Sequence, residues 1–322
     1  FLLGSMQNGS HLPPSFILLG APGLEELYGF ISIPYFAMFA TSIAGNGLVI
    51  VVILQDYLLH QPMYLFLSML SFTDLLFSVS TCPTVMNIFW FNSRQIQSFM
   101  CLVQMFFVQA LSVVSSGLLL AMAFDRFVAI CHPLRYSSIL SNSMVVKIGV
   151  ASALRSIVIH IPLVYSLELL PYCKGNLLSH SYCLHQDVMK LACDGTNTFN
   201  IAYGLVIILS TVTLDAILIF ISYILIMRAV FGLTSGVDRY KVFDTCISHL
   251  CAVFLFYVPV VALSFIHRFG TQLSPSFKIF MASVYILVPP MFNPIIYSIK
   301  SKQIRGSFDR LFRRHRVRAT CT

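Results

Sequence analysis

Charged side chains are scarce in this sequence. Of its 322 residues, 10% are Asp, Glu, Lys or Arg, whereas 57% are hydrophobic. Soluble domains usually carry about 25% charged residues, so the composition excludes an ordinary water-soluble domain. Long apolar runs dominate instead, and runs of about 20 such residues predict helices that cross a bilayer.

Sequence signatures of catalysis are missing too. The chain has no HExxH, no GxSxG and no phosphate-binding loop. Four histidines that could bind metal, His132, His160, His249 and His267, stand singly along the chain. We therefore expect no enzyme, no metal site and no cofactor.

Seven apolar segments are long enough to span a bilayer of ~30 Å. The predicted spans are roughly Gly29–Leu54, Met63–Ile88, Ser98–Ile130, Met144–Leu167, Phe199–Phe231, Val242–His267 and Ser276–Ser298. A further segment, Lys302–Arg314, has an apolar and a basic helical face, which is typical of a helix on the membrane surface. The expected fold is an all-α membrane protein, a seven-transmembrane helix bundle with a short amphipathic eighth helix.

The chain then divides into four parts. Residues 1–5, FLLGS, precede Met6 and are interpreted as an expression scar. Residues 6–28 would form an extracellular tail and residues 29–301 the transmembrane domain. Residues 302–322 would form the cytoplasmic eighth helix and tail.

The distribution of Lys and Arg predicts the orientation in the membrane. Most of the 20 basic residues lie on the side of the C-terminus, and basic connections favour the cytoplasm. We therefore place the N-terminus outside the plasma membrane, where the glycosylation sequon Asn8-Gly9-Ser10 also lies. The net charge of +8 then faces anionic lipid and indicates no nucleic-acid partner.

Cysteine usage agrees with this orientation. Cys101, Cys173, Cys183 and Cys193 fall in the predicted outer region, where disulfides persist. Four cysteines allow three pairings, and the residues alone do not choose among them.

Ionisable residues at membrane depth are costly, so each is a functional candidate. Asp74 lies in the middle of the second predicted span, and Asn46, Ser115 and Asn293 are the polar candidates for its surroundings. Two interpretations stay open: a hydrated cation or proton site, and a structural hydrogen-bond hub.

A transporter or channel is an alternative class for this chain. Asp74, Arg155 and Asp215 all lie within apolar segments and could form a relay. The odd number of spans and the lack of an internal repeat argue against a transporter built from two matching halves.

Asp125 and Arg126 stand side by side at the inner end of the third span. Charges that extend to interfacial water would explain one such residue well, but an adjacent pair of opposite sign less well. We interpret the pair as a latch, in which Asp125 neutralises Arg126 and holds the helix end closed until a cytoplasmic partner arrives.

Arg268 stands at the outer end of the sixth span, about one turn from Ser264. A guanidinium stays charged, and its fork of donors suits a carboxylate. If Arg268 points into the bundle, the anion that it needs is a ligand. If it points outward, it is an interfacial residue or pairs with a loop acid such as Asp187 or Asp194.

A set of motifs resembles a known family. MAFDRFVAICHPLRY at 122–136 is similar to the signature of odorant receptors within the rhodopsin-like G-protein-coupled receptors. Other spans match that family at GNGLVI (45–50), HQPMYLFLSMLSFTDLL (60–76), SYILI (222–226), KVFDTCISHL (241–250), FYVP (256–259) and PPMFNPIIYSIK (289–300). The long outer loop and HRFG after the sixth span resemble the fish-like class I branch, nearest its subfamily 51.

The resemblance implies a ligand and a lid. It pairs Cys101 with Cys183 and Cys173 with Cys193, so that the outer loop covers a pocket. Class I receptors are associated with carboxylic acids, so the implied ligand is a small acidic odorant. The expected ligand-binding residues are Arg268, Ser264, Gln109, Gln186 and His267. The alkyl tail of the ligand would lie against apolar side chains such as Leu111, Val113, Ile207 and Phe256.

The resemblance also implies activation of a stimulatory G protein, which raises cAMP. The residues expected to carry activation are Asp125, Arg126, Asp244, Tyr223, Tyr257 and Tyr297. Asp244 departs from the family, which usually has a small polar residue there, and it would pair with Arg126 or Arg239. A receptor for a non-acid odorant, or for a metabolite outside the nose, is the alternative within the family.

Overall fold

A computed structural model describes residues 12–232, 236–270, 272–301 and 303–311. Within them, seven helices are long and apolar enough to cross a membrane. We number these α1 Tyr28–Gln55, α2 Pro62–Phe91, α3 Ser98–Cys131, α4 Asn142–Glu168, α5 Thr198–Phe231, α6 Gly236–Phe269 and α7 Pro275–Lys300. Their bounds lie close to the predicted spans, except that α6 begins at Gly236 rather than at Val242. The expected seven-helix fold is confirmed.

The helices carry large apolar side chains on their outer faces as well as inside. Phe30, Phe220 and Phe254 are 73%, 67% and 65% exposed. Water would make such a surface an aggregation hazard, whereas hydrocarbon solvates it. Of the seven helices α3 is the most buried and α4 the least, so α3 lies at the centre of the bundle.

A small sheet closes one end of the bundle, which we call the outer end, and we call the opposite end the inner end. Strand β1, Ser15–Leu18, lies between antiparallel β2, Gln95–Gln97, and parallel β3, Leu177–Leu178. The N-terminal tail therefore packs on the long loop between α4 and α5. The aromatic ring of Phe16 is fully buried among hydrophobic side chains at this end and contacts the ring of Tyr172 at the start of that loop.

Two disulfides hold the loop. Cys101 at the start of α3 is bonded to Cys183, with 5.5 Å between their Cα atoms. Cys173 is bonded to Cys193, at 4.9 Å. Both pairings implied by the resemblance are thus confirmed.

Short elements connect the long helices. The 3₁₀ turns are Glu25–Leu27, Tyr57–Leu59 and Pro133–Arg135, and the short α-helices are Tyr136–Ile139 and His185–Lys190.

The eighth helix, α8, covers residues 303–311. Ile304 is fully buried in the inner hydrophobic cluster, and Phe308 packs against that cluster. An ion pair of 2.6 Å between Arg310 and Asp56 ties α8 to the connection after α1. The predicted amphipathic helix is present over these residues, while 312–314 lie outside the described part of the chain.

α5 departs from a regular helix. A π-helical turn at Leu209–Thr213 separates its two α-helical parts. The Ser210 and Thr211 hydroxyls donate to carbonyls four residues back, each at 2.6 Å. Hydroxyls bonded in this way compete with the helical ladder and bend it. The π turn ends directly before Leu214 and Asp215.

α3 and α4 approach each other closely at Gly117. A Cβ atom there would lie 2.9 Å from the Ser152 hydroxyl and 3.2 Å from Nη2 of Arg155. A residue without a side chain is therefore required at this crossing.

Gly117→Val is expected to lower the thermal midpoint of the purified protein by several degrees. Overpacking a tight contact costs about 1–3 kcal/mol, and each kcal/mol shifts the midpoint by about 2–4 °C in a chain of this size. Gly306→Val is the matched control, since nothing lies within 4 Å of a Cβ at that position. Equal midpoints for the two variants would contradict the close packing.

Candidate ligand pocket and signalling site

A cavity of about 200 Å³ lies in the outer half of the bundle, among α3, α4, α5, α6, α7 and the loop. We call it the outer cavity. It is lined by all of the expected ligand-binding residues, namely Arg268, Ser264, Gln109, Gln186 and His267. On α6 the spacing of three and four residues puts Ser264, His267 and Arg268 on one helical face. The fold therefore brings together residues that stand far apart in the sequence.

The charge around the outer cavity is positive. Arg268 and Lys190 line it, and none of its described lining residues is acidic. The two acids considered as alternative partners of Arg268 have other partners. Asp187 is paired with His180, and Oδ1 of Asp194 lies 2.5 Å from Nζ of Lys174. Arg268 makes no ion pair with any residue that the structure describes. Its side chain is exposed, at the mouth of the cavity.

Further polar residues in the lining were not anticipated. Nε2 of His185 lies 3.2 Å from Oδ1 of Asn200, and the Ser112 and Tyr285 hydroxyls are hydrogen-bonded to each other. Burial lowers the pKa of His185 to about 4, so this imidazole is neutral. Helical spacing would have pointed to Ser112, which follows Gln109 by three residues on α3. His185 lies in the loop, where no helical periodicity could have pointed to it.

The apolar lining agrees only partly with expectation. Of four residues proposed to contact an alkyl chain, Val113 and Ile207 line the outer cavity. Leu111 and Phe256 do not: both are buried in the hydrophobic core. The sequence of a single helix does not show which of its faces lines the cavity, so these two residues could not be assigned correctly from sequence alone.

Beside the outer cavity, His180, Asp187 and His267 come together. Their candidate ligand atoms all lie within 4.8 Å of one another. Burial opposes ionisation of Asp187, but the hydrogen bond with His180 outweighs it and lowers the pKa of the carboxyl group. This group is not evident from the sequence, because His267 stands singly on α6 and its two partners come from the loop.

Deeper in the bundle, a polar network joins four helices. Arg155 of α4 donates two hydrogen bonds to Asp215 of α5, at 3.2 and 2.8 Å. The Ser116 hydroxyl of α3 donates to Asp215 at 2.9 Å and lies 2.7 Å from the hydroxyl of Tyr257 on α6. Tyr257 is thereby connected to a charged pair two helices away.

Asp74 has a separate partner. Nδ2 of Asn293 donates to Oδ2 of Asp74 at 2.8 Å, which links α2 to α7. Asn46 donates instead to the carbonyl oxygens of Ser42 and Pro290, and Ser115 is buried. Because Asp74 bonds Asn293 while Arg155 and Asp215 bond each other, the three charges of the supposed relay have local partners.

At the inner end of α3, Asp125 and Arg126 form an ion pair. Nε of Arg126 lies 2.9 Å and Nη2 lies 2.5 Å from Oδ2 of Asp125, whose side chain is fully buried. The Tyr136 hydroxyl donates to the other carboxylate oxygen at 2.7 Å. Burial and the adjacent carboxylate raise the pKa of Tyr136, so the hydroxyl stays protonated. The sequence predicted the pair but not this third member.

The other residues expected to carry activation lie nearby on α5, α6 and α7. The hydroxyl of Tyr223 lies 2.7 Å from Nδ1 of His249, whose Nε2 donates to the Leu119 carbonyl of α3 at 3.0 Å. The hydroxyl of Tyr297 is buried without a hydrogen-bond partner among the described residues. The side chain of Asp244 lies outside the described part, so its predicted pairing stays a prediction.

The fold is a seven-helix membrane bundle that is known from solved structures. The crystal structure of squid rhodopsin matches it with a TM-score of 0.73, covering 94% of this chain and 87% of that one at 16% identity. An identity this low establishes the shared fold and nothing further.

A family model and several relatives of high sequence identity show the family. A family model for olfactory receptors matches residues 35–315. Human olfactory receptor 51E1 is 49% identical over 297 residues, 92% of this chain and 93% of its own. Human olfactory receptor 51G2 is 49% identical over 311 residues, 96% and 99% of the two chains. Rat olfactory receptor 51E2 is 48% identical over 299 residues, 93% of each.

The chain belongs to the olfactory receptor family. It is therefore a multi-pass receptor of the plasma membrane and not an enzyme.

Removing one partner of the α4–α5 pair should destabilise the receptor. Asp215→Asn leaves Arg155, which is 37% exposed, without its counterion inside an apolar span, so thermal midpoint and surface expression should both fall. Replacing both partners, with Arg155→Met and Asp215→Leu, should recover much of the loss. A double variant as unstable as the single one would contradict a stabilising role through charge matching.

Opening the inner latch should raise activity without ligand. Asp125→Asn removes the charge that holds Arg126, so basal nucleotide exchange on a G protein should rise several-fold per receptor at the cell surface. Tyr136→Phe keeps the carboxylate and should cause a smaller rise. Asp309→Asn, at an exposed acid of α8, is the control, and an Asp125→Asn variant no more active than this control would refute the latch.

Proposed function

We propose that this receptor binds a small carboxylic-acid odorant in the outer cavity and activates a stimulatory G protein, which raises cAMP. The observation that carries the proposal is the unpaired guanidinium of Arg268 at the mouth of a cavity whose described lining has no acid. A cation in such a setting attracts an anion from solution, and a carboxylate matches the fork of a guanidinium.

Polar and apolar parts of the cavity suit an amphipathic acid. Ser264 and His267 flank Arg268 on α6, and Gln109 and Gln186 face them from α3 and the loop. Oε1 of Gln109 is buried without a partner in the described structure, so a ligand or a water molecule is needed to satisfy it. Val113 and Ile207 would receive the alkyl chain.

The size of the cavity points to a short chain. About 200 Å³, at ~30 Å³ for each water-sized group, holds a ligand on the order of seven heavy atoms. A short-chain fatty acid is of this size. Long-chain acids would have to displace side chains, and overpacking is costly.

The proposed signal passes along α6. An acid bound to Arg268 and Ser264 draws the outer end of α6 inward. Pro259 interrupts the helical ladder below them and lets α6 bend there. Tyr257 lies next to this bend and bonds Ser116, so the movement reaches α3, where Arg126 is held by Asp125. A ligand drives such a change only by its differential affinity for the two states.

The orientation forms part of the proposal. The end that carries the sheet and both disulfides faces the cell exterior, because disulfides persist in oxidising surroundings. The N-terminal tail is then extracellular, with Asn8, which lies outside the described residues, as its glycosylation site. The inner latch and α8 face the cytoplasm, where the G protein is.

The proposal is tested by recording cAMP in cells exposed to fatty acids of graded length. The wild type should respond best to short chains. Arg268→Ala should raise the half-maximal concentration several-fold, since an ion pair at a solvent-exposed guanidinium is worth about 1 kcal/mol. Arg268→Lys keeps the positive charge but lacks the paired N–H donors of the guanidinium, so its half-maximal concentration should lie between those of the wild type and Arg268→Ala.

Lys174→Ala supplies the control, because Lys174 is an outer basic residue that is paired with Asp194 and does not line the cavity. Surface expression of each variant is measured in parallel. An acid dose response unchanged by Arg268→Ala would overturn the proposal, as would responses confined to uncharged odorants.

A further inference from the structure

Two imidazoles and a carboxylate meet where the loop touches the outer end of α6. His180 and Asp187 come from the loop and His267 from α6. The two imidazole rings are stacked, with 5.2 Å between their centroids. His180 and Asp187 are almost fully buried, at 1% and 3% exposed. Nothing in the proposed acid-binding role requires His180 or Asp187.

Each member of this group has one buried polar atom without a partner in the described structure. These atoms are Nε2 of His180, Oδ1 of Asp187 and Nε2 of His267. Buried polar atoms are nearly always hydrogen-bonded, so three neighbouring exceptions indicate something that they are built to bind.

The hydrogen bonds of the two imidazoles define which nitrogens are free. Nδ1 of His267 lies 2.8 Å from the Leu263 carbonyl, which can only accept, so Nδ1 carries the proton and Nε2 has a lone pair. Nδ1 of His180 faces Oδ2 of Asp187, and by the same reasoning a neutral His180 has its lone pair on Nε2. An imidazole whose Nδ1 is bonded to a carbonyl, as in His267, presents its Nε2 to a metal ion in many proteins.

The carboxylate is oriented as well. Oδ2 of Asp187 accepts from His180 and, at 3.1 Å, from the backbone N–H of Ser179. Its Oδ1 has only Lys190 nearby, at 3.9 Å, which is too long for a hydrogen bond. The Lys190 side chain is 55% exposed and is free to turn toward solvent.

We propose that His180, His267 and Asp187 form a binding site for a transition-metal ion of the zinc class. The proton of His180 moves from Nδ1 to Nε2, so that Nδ1 of His180, Oδ2 of Asp187 and Nε2 of His267 are the ligands. Nitrogen ligands favour such ions over calcium and magnesium, which take oxygen ligands. Ligands of a tetrahedral zinc ion at ~2.1 Å lie ~3.4 Å apart, and one candidate ligand atom from each residue already lies within 4.8 Å of the others, so small side-chain rotations bring them into place. Three protein ligands leave a fourth position for water.

The ion would join two parts of the receptor. The loop is anchored to α3 through Cys183, close to His180, and His267 lies on the helix that carries Arg268. An occupied site would therefore restrain the outer end of α6 against the loop. Metal binding does not depend on which odorant the receptor takes, although His267 lines both sites.

The test uses the full chain, purified and stripped of metal, with Zn²⁺ as the probe and no odorant present. Equilibrium dialysis with metal analysis should give one ion per receptor, and Zn²⁺ should raise the thermal midpoint while Mg²⁺ leaves it unchanged. His180→Ala should weaken Zn²⁺ binding at least tenfold, and Asp187→Asn should weaken it by about 10–100-fold. His132→Ala removes an exposed histidine outside the group and should bind as the wild type does.

The thermal midpoint of each metal-free variant shows whether it is folded. If His180→Ala does not fold, His267→Gln provides the second test of the site. The proposal is overturned if the wild type binds no stoichiometric Zn²⁺, or if His180→Ala and His267→Gln both bind it as tightly as His132→Ala. Because acid recognition is measured separately through Arg268→Ala, failure of either proposal is distinguishable from failure of the other.

Discussion

The unmatched guanidinium of Arg268 is the feature on which the functional interpretation depends. Two buried acids of the bundle are each paired with an arginine: Asp215 with Arg155, and Asp125 with Arg126. These pairs follow from the cost of an isolated charge in an apolar medium. Arg268 is exposed at the outer cavity and makes no ion pair with a described residue, so its guanidinium is available to an anion from outside the chain.

The same requirement explains how the outer and inner ends are connected. Polar groups within the membrane must bond one another, and the resulting bonds cross between helices. Tyr257 and Ser116 join α6 to α3, and Asp215 extends the connection to Arg155 on α4. A shift of α6 cannot leave these bonds unchanged. In the proposed mechanism, structural stability and signal transmission therefore depend on the same contacts.

Hydropathy was sufficient to predict the seven helices, because span length is set by bilayer thickness and not by tertiary detail. The motif order identified the family, and with it the disulfide pairs. The side-chain pairings between helices could not be predicted from the sequence. Arg155 and Asp215 are 60 residues apart, and no periodicity within one helix reports which faces of two helices meet.

Three further features lay beyond sequence reasoning for similar reasons. Tyr136 joins the latch because the short helix after α3 folds back on it. The π turn in α5 depends on hydroxyl groups that bond the backbone locally. His180 and Asp187 meet His267 because a disulfide anchors the loop over α6. Each depends on how irregular segments fold back, where hydrophobic patterns carry little information.

The most direct measurement is a density map of the receptor with a short-chain carboxylic acid bound. The predicted result is a carboxylate within hydrogen-bond distance of the Arg268 guanidinium, with the alkyl chain directed toward Val113 and Ile207. An acid bound elsewhere, or an Arg268 turned to lipid or paired with an acidic side chain of the receptor, would contradict the central claim.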